Sequence, residues 1–161
     1  MKNQFIAIIF LISFTLVSCD MNEDKVMTNE SMNAECPVAD ESGLIQVAPG
    51  LSARVLKKGF GRAAVAGDYA DTNVWLWLYD ESAENKHGMF IWESDNVFQF
   101  QLGAGQVIKG WDLGVPCMLE GETRELIVAG DLAYGPLGRG EIPPNATLIF
   151  TIELLKLTSP D

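Results

Sequence analysis

Short hydrophobic runs separated by glycines characterise the chain from residue 50 to residue 157. The runs are of strand length and rich in β-branched and aromatic residues, which favour extended backbone. They predict strands at residues 51–57, 74–78, 98–102, 125–128 and 147–152. The first of these alternates imperfectly, so we expect it to be an outer strand of the sheet.

One short helix is predicted between residues 106 and 116. Ile108, Trp111 and Val115 recur there at helical spacing, and Pro116, which lacks an N–H, would end the helix. Many strands with a single short helix imply an antiparallel sheet whose apolar face is covered by that helix. The sequence therefore predicts an α+β domain over residues 50–157, followed by a tail at residues 158–161.

The residues before this domain have a different character. Residues 20–46 are polar and acidic and show no sustained period of 2 or 3.6, which is typical of a flexible segment. We therefore expect residues 19–49 to form an acidic, flexible tether.

The N-terminus has the features of an export signal. Lys2 is followed by an apolar stretch at residues 5–17, which is shorter than the roughly 20 residues that a membrane-spanning helix needs. The stretch ends in Leu16-Val17-Ser18-Cys19, which resembles the lipobox cut by lipoprotein signal peptidase. Removal of residues 1–18 would leave Cys19 as a lipidated N-terminus that holds the chain to a membrane of the bacterial cell envelope, facing the periplasm. The alternative is an ordinary secretory signal with a chance cysteine.

Composition restricts the partners and the redox chemistry. The chain has a net charge of −11, which argues against nucleic acid as a partner because phosphates call for Lys and Arg. Its length suits one domain with one core, and we expect a monomer. Cys36 and Cys117 could form a disulfide in an oxidising compartment, but a free, buried Cys117 is also compatible with the sequence.

Four motifs in a fixed order are more specific than the hydrophobic pattern. They are QVIKGWD at residues 106–112, GETR at 121–124, LAYG at 132–135 and IPPNATL at 142–148. Together they resemble the signature of the FKBP-type peptidyl-prolyl cis/trans isomerases, and the resemblance covers residues 50–157. It implies a curved antiparallel β-sheet wrapped around one short α-helix, which agrees with the elements predicted above. It also implies that proline-containing polypeptides are the substrates.

Such an isomerase needs no nucleophile, metal or cofactor. The X-Pro amide resists rotation with a barrier of about 18–20 kcal/mol because resonance keeps it planar. A dry apolar cavity can lower this barrier, since water stabilises the planar, charge-separated amide better than the twisted one. We therefore expect neither a cofactor nor a metal site. His87 is the only histidine, and the acids Asp80, Glu81 and Glu84 are typical of a solvated loop.

The resemblance assigns the pocket residue by residue. Trp111 corresponds to the tryptophan that forms the floor of the proline pocket, and Val107 and Ile108 to the apolar pair before it. The Ile108 backbone N–H would donate to a substrate carbonyl. Tyr134 corresponds to the rim tyrosine, whose hydroxyl can bond a ligand carbonyl, and Ile142 to the flap residue before the proline pair.

Two phenylalanines complete the predicted site. Phe98 and Phe150 correspond to aromatic walls of the pocket. A plain structural role is the alternative for all of these pocket side chains, because aromatic and branched residues in a small β domain commonly form the core.

Two positions depart from the family pattern. An alignment without gaps places Val74 where members usually have a tyrosine, and a second alignment places Trp92 where they have the aspartate that bonds to it. Loss of both polar groups can be nearly neutral, whereas loss of one would leave the other unpaired at a cost of about 1–3 kcal/mol. The sequence therefore predicts a more apolar pocket. Two functions remain open: an isomerase of reduced activity that assists the folding of exported proteins, and a catalytically weak proline-binding or chaperone module on the same fold.

Overall fold

The computed structural model describes residues 36–160, and its largest element is a seven-stranded antiparallel sheet. The strands, in chain order, are β1 (Leu44–Ala48), β2 (Leu51–Lys57), β3 (Phe60–Ala63), β4 (Tyr69–Tyr79), β5 (His87–Glu93), β6 (Phe98–Gln101), β7 (Leu119–Glu120), β8 (Thr123–Val128) and β9 (Leu148–Thr158). The sheet order is β1-β2-β8-β9-β4-β5, and β6 pairs with the first half of β4. Strands β3 and β7 form a separate two-stranded sheet.

The single α-helix among the described residues, α1, spans Lys109–Gly114 and is followed by Pro116 as predicted. It is shorter than the predicted 106–116 because Ile108, with a ψ of 149°, is extended and acts as the N-cap. The helix lies directly on β8: a Cβ on Gly110 would come within 2.4 Å of the Val128 side chain. Glycine at this position therefore lets the helix approach the sheet closely, and Trp111 on the same helix turns into the core.

The core lies between α1 and one face of the sheet. Side chains of β4 alternate, so that those at even-numbered positions from Ala70 to Leu76 are buried. Long β9 supplies a second buried row at Leu148, Phe150, Ile152 and Leu154. An antiparallel sheet packed on one short helix is the α+β fold that the sequence predicts.

The predicted start of the domain at residue 50 is wrong. Strand β1 (Leu44–Ala48) lies inside the predicted flexible tether and pairs with β2 through a tight turn at Pro49 and Gly50. Gly50 has a φ of +76°, a conformation that glycine adopts without strain. Ile45 of β1 is buried in the core, and this single inward side chain is too weak a periodic signal to identify a strand. Because β2 pairs with β1 on one side and β8 on the other, it is not an outer strand.

The boundary at the C-terminal end is close to the prediction, since β9 extends to Thr158, one residue into the expected tail. The predicted leader, Cys19 and most of the predicted tether lie outside the described residues. Within residues 36–160, none of the helices is long and apolar enough to cross a membrane.

Cys36 and Cys117 form a disulfide, which decides between the two alternatives left open by the sequence. Their Cα atoms lie 5.7 Å apart, within the range that a disulfide spans. The bond joins the segment before β1 to the residue that follows Pro116, just beyond the end of α1.

A buried ion pair in the GETR motif also fixes the end of α1. The Arg124 guanidinium donates to the Glu122 carboxylate at 2.7 Å. It also donates to the carbonyl oxygens of Gly114, Pro116 and Cys117 at 3.0–3.3 Å. Carbonyl groups at the end of a helix and just after it have no hydrogen-bond partner within the helix. Arg124 on β8 donates to them and so holds the C-terminal end of α1 in place.

Candidate active site

A cavity of about 710 Å³ opens between α1, the sheet and the loop before β9. Such a volume is typical of a site for a small ligand or a few residues of a peptide. The residues that line it are Leu76, Ile91, Trp92, Phe98, Gln106, Val107, Ile108, Trp111, Tyr134, Arg139, Gly140, Glu141, Ile142 and Phe150. All seven residues assigned to the pocket in the sequence are therefore brought together around one cavity.

Trp111 lies at the base of the cavity and is almost wholly buried. Its indole packs edge-to-face against Phe98 and Phe150, with ring centroids 5.8 and 5.2 Å away. It also contacts the Phe100 ring, which is tilted by 50° and has its centroid 5.5 Å away. Its Nε1 is buried and has no hydrogen-bond partner among residues 36–160. Contacts with three aromatic rings hold the indole in one orientation, so it presents a fixed apolar surface to the cavity.

The start of α1 supplies one wall. Val107 and Ile108 are half-buried there, and the Ile108 carbonyl accepts the Trp111 N–H at 3.0 Å. The Ile108 N–H donates no hydrogen bond to any other described residue, which leaves it available to a ligand. The Asp112 carboxylate fixes the preceding loop by accepting the N–H groups of Gly103 and Gly105, each at 3.0 Å.

The segment between Tyr134 and Ile142 supplies another part of the lining. Arg139 and Ile142 exchange backbone hydrogen bonds of 3.0 and 2.9 Å, which close this segment into a tight loop. The Arg139 guanidinium lies 5.6 Å from the centroid of the Tyr134 ring, a cation–π contact that restricts the ring. Ile142 is buried against the core, whereas Glu141 is exposed at the rim.

Val74, which the alignment without gaps places at the family's tyrosine position, does not reach the cavity. Val74 is fully buried in the core and does not line the cavity. Leu76, two residues further along the same face of β4, lines the cavity instead and lies opposite Trp92 of β5. Because all inward side chains of the eleven-residue strand β4 share a period of two, an alignment without gaps does not decide which of them reaches the pocket.

Trp92 does line the cavity, as the alignment of the β5 segment predicted. Its ring packs edge-to-face against Phe98, with centroids 6.4 Å apart, and it remains 40% exposed. With Leu76 opposite, this edge of the cavity carries two apolar side chains. The loss of a polar pair relative to other family members stays a prediction, and Leu76 is the β4 residue that it concerns at the cavity.

The charges of the described domain lie mainly away from the cavity. The Arg62 guanidinium donates two hydrogen bonds to the buried Asp68 carboxylate before β4, and this lowers the pKa of Asp68 below its usual value. His87 Nε2 lies 2.8 Å from the Glu125 carboxylate and its ring stacks on Trp77. No group of three or more His, Cys, Asp or Glu side chains in the described part of the chain could hold a metal ion.

Comparison with known proteins identifies the fold family. The family model for FKBP-type peptidyl-prolyl cis-trans isomerases matches residues 61–155. The chain belongs to this family. The matched residues 61–155 include every residue that lines the cavity, and they exclude β1 and β2.

Similar proteins come from bacteria and fungi. The FK506-binding protein of Neisseria meningitidis serogroup B is 40% identical over 114 residues, which are 67% of this chain and 96% of that protein. FK506-binding protein 1 of Candida glabrata is 59% identical over 61 residues, so the matched part of the chain spans about half (54%) of that relative's length. The crystal structure of a peptidyl-prolyl cis-trans isomerase from Pseudomonas syringae pv. tomato superimposes with a TM-score of 0.62 and 28% identity. That match covers 73% of this chain and 82% of the other.

Several lining residues of this FKBP-type cavity were not predicted from the sequence. Gln106, Arg139, Gly140 and Glu141 carry no periodic hydrophobic signal, but each lies next to a predicted pocket residue or between two of them. Their position in the chain could therefore have indicated them. Leu76 had a hydrophobic signal that was indistinguishable from that of a core residue.

Proposed function

We propose that the protein isomerises X-Pro bonds by enclosing the proline ring in the cavity above Trp111. The observation that carries this proposal is the indole of Trp111, which Phe98 and Phe150 hold in one orientation at the lining of a cavity in an FKBP-type fold. A proline ring on the indole would lie between Phe98 and Phe150. Lining side chains would then exclude water from the amide.

The chemistry requires only a modest stabilisation of the twisted amide. Water favours the planar, charge-separated amide, so its exclusion lowers the barrier to rotation. An acceleration of about a thousandfold corresponds to about 4 kcal/mol. The Ile108 N–H and the Tyr134 hydroxyl would orient the flanking carbonyls, since both residues line the cavity and both groups are donors.

A second candidate function is binding without efficient turnover. It is favoured by the pair Leu76 and Trp92, because neither can offer the hydroxyl or the carboxylate that family members usually have at this edge. A proline-binding or chaperone module of this kind would keep the apolar cavity and lose part of the polar contacts to the substrate.

Protease-free measurement of cis/trans exchange in a short Leu-Pro peptide distinguishes isomerisation from binding without efficient turnover. If the protein is an isomerase, the purified protein should accelerate exchange well above the uncatalysed rate. Peptide binding with exchange at the uncatalysed rate would favour the binding module, and absence of both would contradict the proposal.

The place of action that we propose is the bacterial cell envelope, with the domain attached as a monomer through lipid on Cys19 and acting on exported proteins. The leader before Cys19 supports this proposal, and so does the Cys36–Cys117 disulfide, because disulfides persist in oxidising compartments outside the cytosol.

A further inference from the structure

Strand β5 forms a free edge of the sheet beside the cavity. It pairs with β4 on one side, and no strand within residues 36–160 pairs with its other side. Soluble proteins normally protect such an edge with charged residues, proline or a covering loop. Residues 88–92 of β5 contain no charged side chain and no proline.

The side chains on this edge are large, apolar and exposed. Met89 is 52%, Phe90 is 49% and Trp92 is 40% exposed. Val97 and Phe98, which follow along the same edge of the sheet, are also exposed. An apolar group of this size at an unpaired edge is typical of a surface that accepts another strand.

The edge is continuous with the cavity. Ile91 and Trp92 belong to β5 and also line the cavity, so a chain that leaves the cavity past Trp92 meets the backbone of β5. With a rise of about 3.3 Å per residue, four or five extended residues would cover the distance from Trp92 to Met89 and beyond.

The charges near the edge indicate what kind of chain fits. Residues 80–95 include five acidic side chains, Asp80, Glu81, Glu84, Glu93 and Asp95, against one lysine, Lys86. The whole chain has a net charge of −11, which opposes the pairing of two copies along this edge. A segment with basic residues at its ends would be attracted to it.

We propose that the free edge of β5 binds, by strand addition, the residues that adjoin the proline in an extended client polypeptide. The preferred clients carry large apolar side chains at alternate positions and basic residues beyond them. This inference rests on the proposed function, because it extends the same cavity. The client would contact the backbone of β5 and the exposed side chains of Met89 and Phe90.

Peptides of different length test the proposal on the full chain. The probes are Ala-Leu-Pro-Phe and two longer peptides, which add five alternating Val and Thr residues and a terminal Lys pair to its N- or C-terminal side. We expect one of the two extensions to tighten binding at least tenfold at low salt. Replacement of the Lys pair by a Glu pair should reduce that gain. No gain from either extension would overturn the proposal.

Backbone methylation tests strand addition without altering the protein. In an extended segment, alternate N–H groups point to opposite edges. N-methylation of one alternate set in the better extension should abolish its gain, and methylation of the other set should leave the gain intact. Equal effects of the two sets would show that the peptide does not add to β5 as a strand.

A matched pair of variants locates the surface. The double variant Met89→Thr, Phe90→Thr should lose the gain from extension, whereas Leu56→Thr, at an exposed apolar site on β2, should retain it. Sedimentation velocity tests whether a second copy of the chain binds this edge instead. If the unmodified protein is a dimer at the assay concentration and the double variant is a monomer, the edge is a self-interface and the proposal is overturned. Exchange in Ala-Leu-Pro-Phe is measured in parallel, so that failure of catalysis is distinguished from failure of edge binding.

Discussion

Leu76 on β4 lies directly opposite Trp92 on β5, and both side chains line the cavity. In relatives with the usual family pattern, this edge carries a tyrosine and an aspartate that bond to each other. Here the two positions are both apolar, so neither leaves the other as an unpaired polar group. We therefore expect this edge of the cavity to offer a ligand apolar contact rather than hydrogen bonds.

We predict that this pair controls the affinity for polar macrolides such as FK506, the ligand named for the Neisseria and Candida relatives. The double variant Leu76→Tyr, Trp92→Asp should bind FK506 more tightly than the unmodified protein, by about 10- to 100-fold, because a hydrogen bond to a charged group is worth about 1.5–3 kcal/mol. The double change should exceed the sum of the single changes, since the two groups support each other. Calorimetric titration of the four proteins measures this coupling.

Val74→Tyr is the control for this prediction. Val74 is fully buried away from the cavity, so a tyrosine there should overpack the core, destabilise the fold by about 1–3 kcal/mol and leave FK506 affinity unchanged. Additive effects in the double variant, or tight binding by the unmodified protein, would contradict the role given to Leu76 and Trp92.

Acid should weaken the domain through Asp68. The Arg62 guanidinium lowers the pKa of Asp68 in the folded state, so the ion pair stabilises the fold at pH values above the usual carboxyl pKa of about 3.9. This stabilisation is lost as the pH falls through the lowered pKa, where the folded state must bind a proton. Urea unfolding between pH 2 and 6 should show a smaller acid dependence in Asp68→Asn. The same acid dependence in both proteins would assign the effect to other carboxyl groups.

Reduction should destabilise the fold. The Cys36–Cys117 bond links residues 81 apart in the chain, and closure of so long a loop restricts the unfolded state. Removal of the bond should lower the free energy of unfolding by about 2–4 kcal/mol. Urea unfolding with and without reductant measures this, and the Cys36→Ser, Cys117→Ser variant should match the reduced protein. Identical unfolding of the unmodified protein in both conditions would show that the bond contributes nothing.

Lipidation is predicted at Cys19. Cys19→Ala should abolish labelling of the chain by a palmitate analogue in bacterial cells and leave the leader uncleaved. Cys36→Ala is the matched control and should be labelled normally, because Cys36 is engaged in the disulfide. Labelling that persists in Cys19→Ala would exclude this anchor.

The strands predicted from the sequence include those with a run or an alternation of buried side chains. Strands β4 and β9 have buried residues at every second position along most of their length, and both were found. Strand β3 has no buried residue, β7 has two residues, and the apolar residues of β5 do not alternate, so none of them produces a periodic signal.

The candidate site depended on motifs more than on periodicity. Trp111 and Tyr134 were placed at the cavity because of the residues around them, since hydrophobicity alone would have assigned them to the core. Val74 and Leu76 share the buried face of β4, and only Leu76 lines the cavity. Which inward position reaches the cavity depends on the pairing of β4 with β5 and β9, and this pairing includes register shifts that the sequence does not show.

The rate of cis/trans exchange in a Leu-Pro peptide, measured with the unmodified protein and with Trp111→Leu, shows whether catalysis takes place in the cavity above Trp111. Leucine removes the indole surface, which lowers the stability of the fold through lost packing. It also removes the buried Nε1–H, which has no partner within residues 36–160 and is itself destabilising. Because the second effect offsets part of the first, the variant should fold. Circular dichroism establishes its fold first. We predict that the unmodified protein accelerates exchange and that the folded variant is at least tenfold less active, which corresponds to a loss of about 1.4 kcal/mol. Equal activity of the two folded proteins would contradict catalysis in the cavity above Trp111.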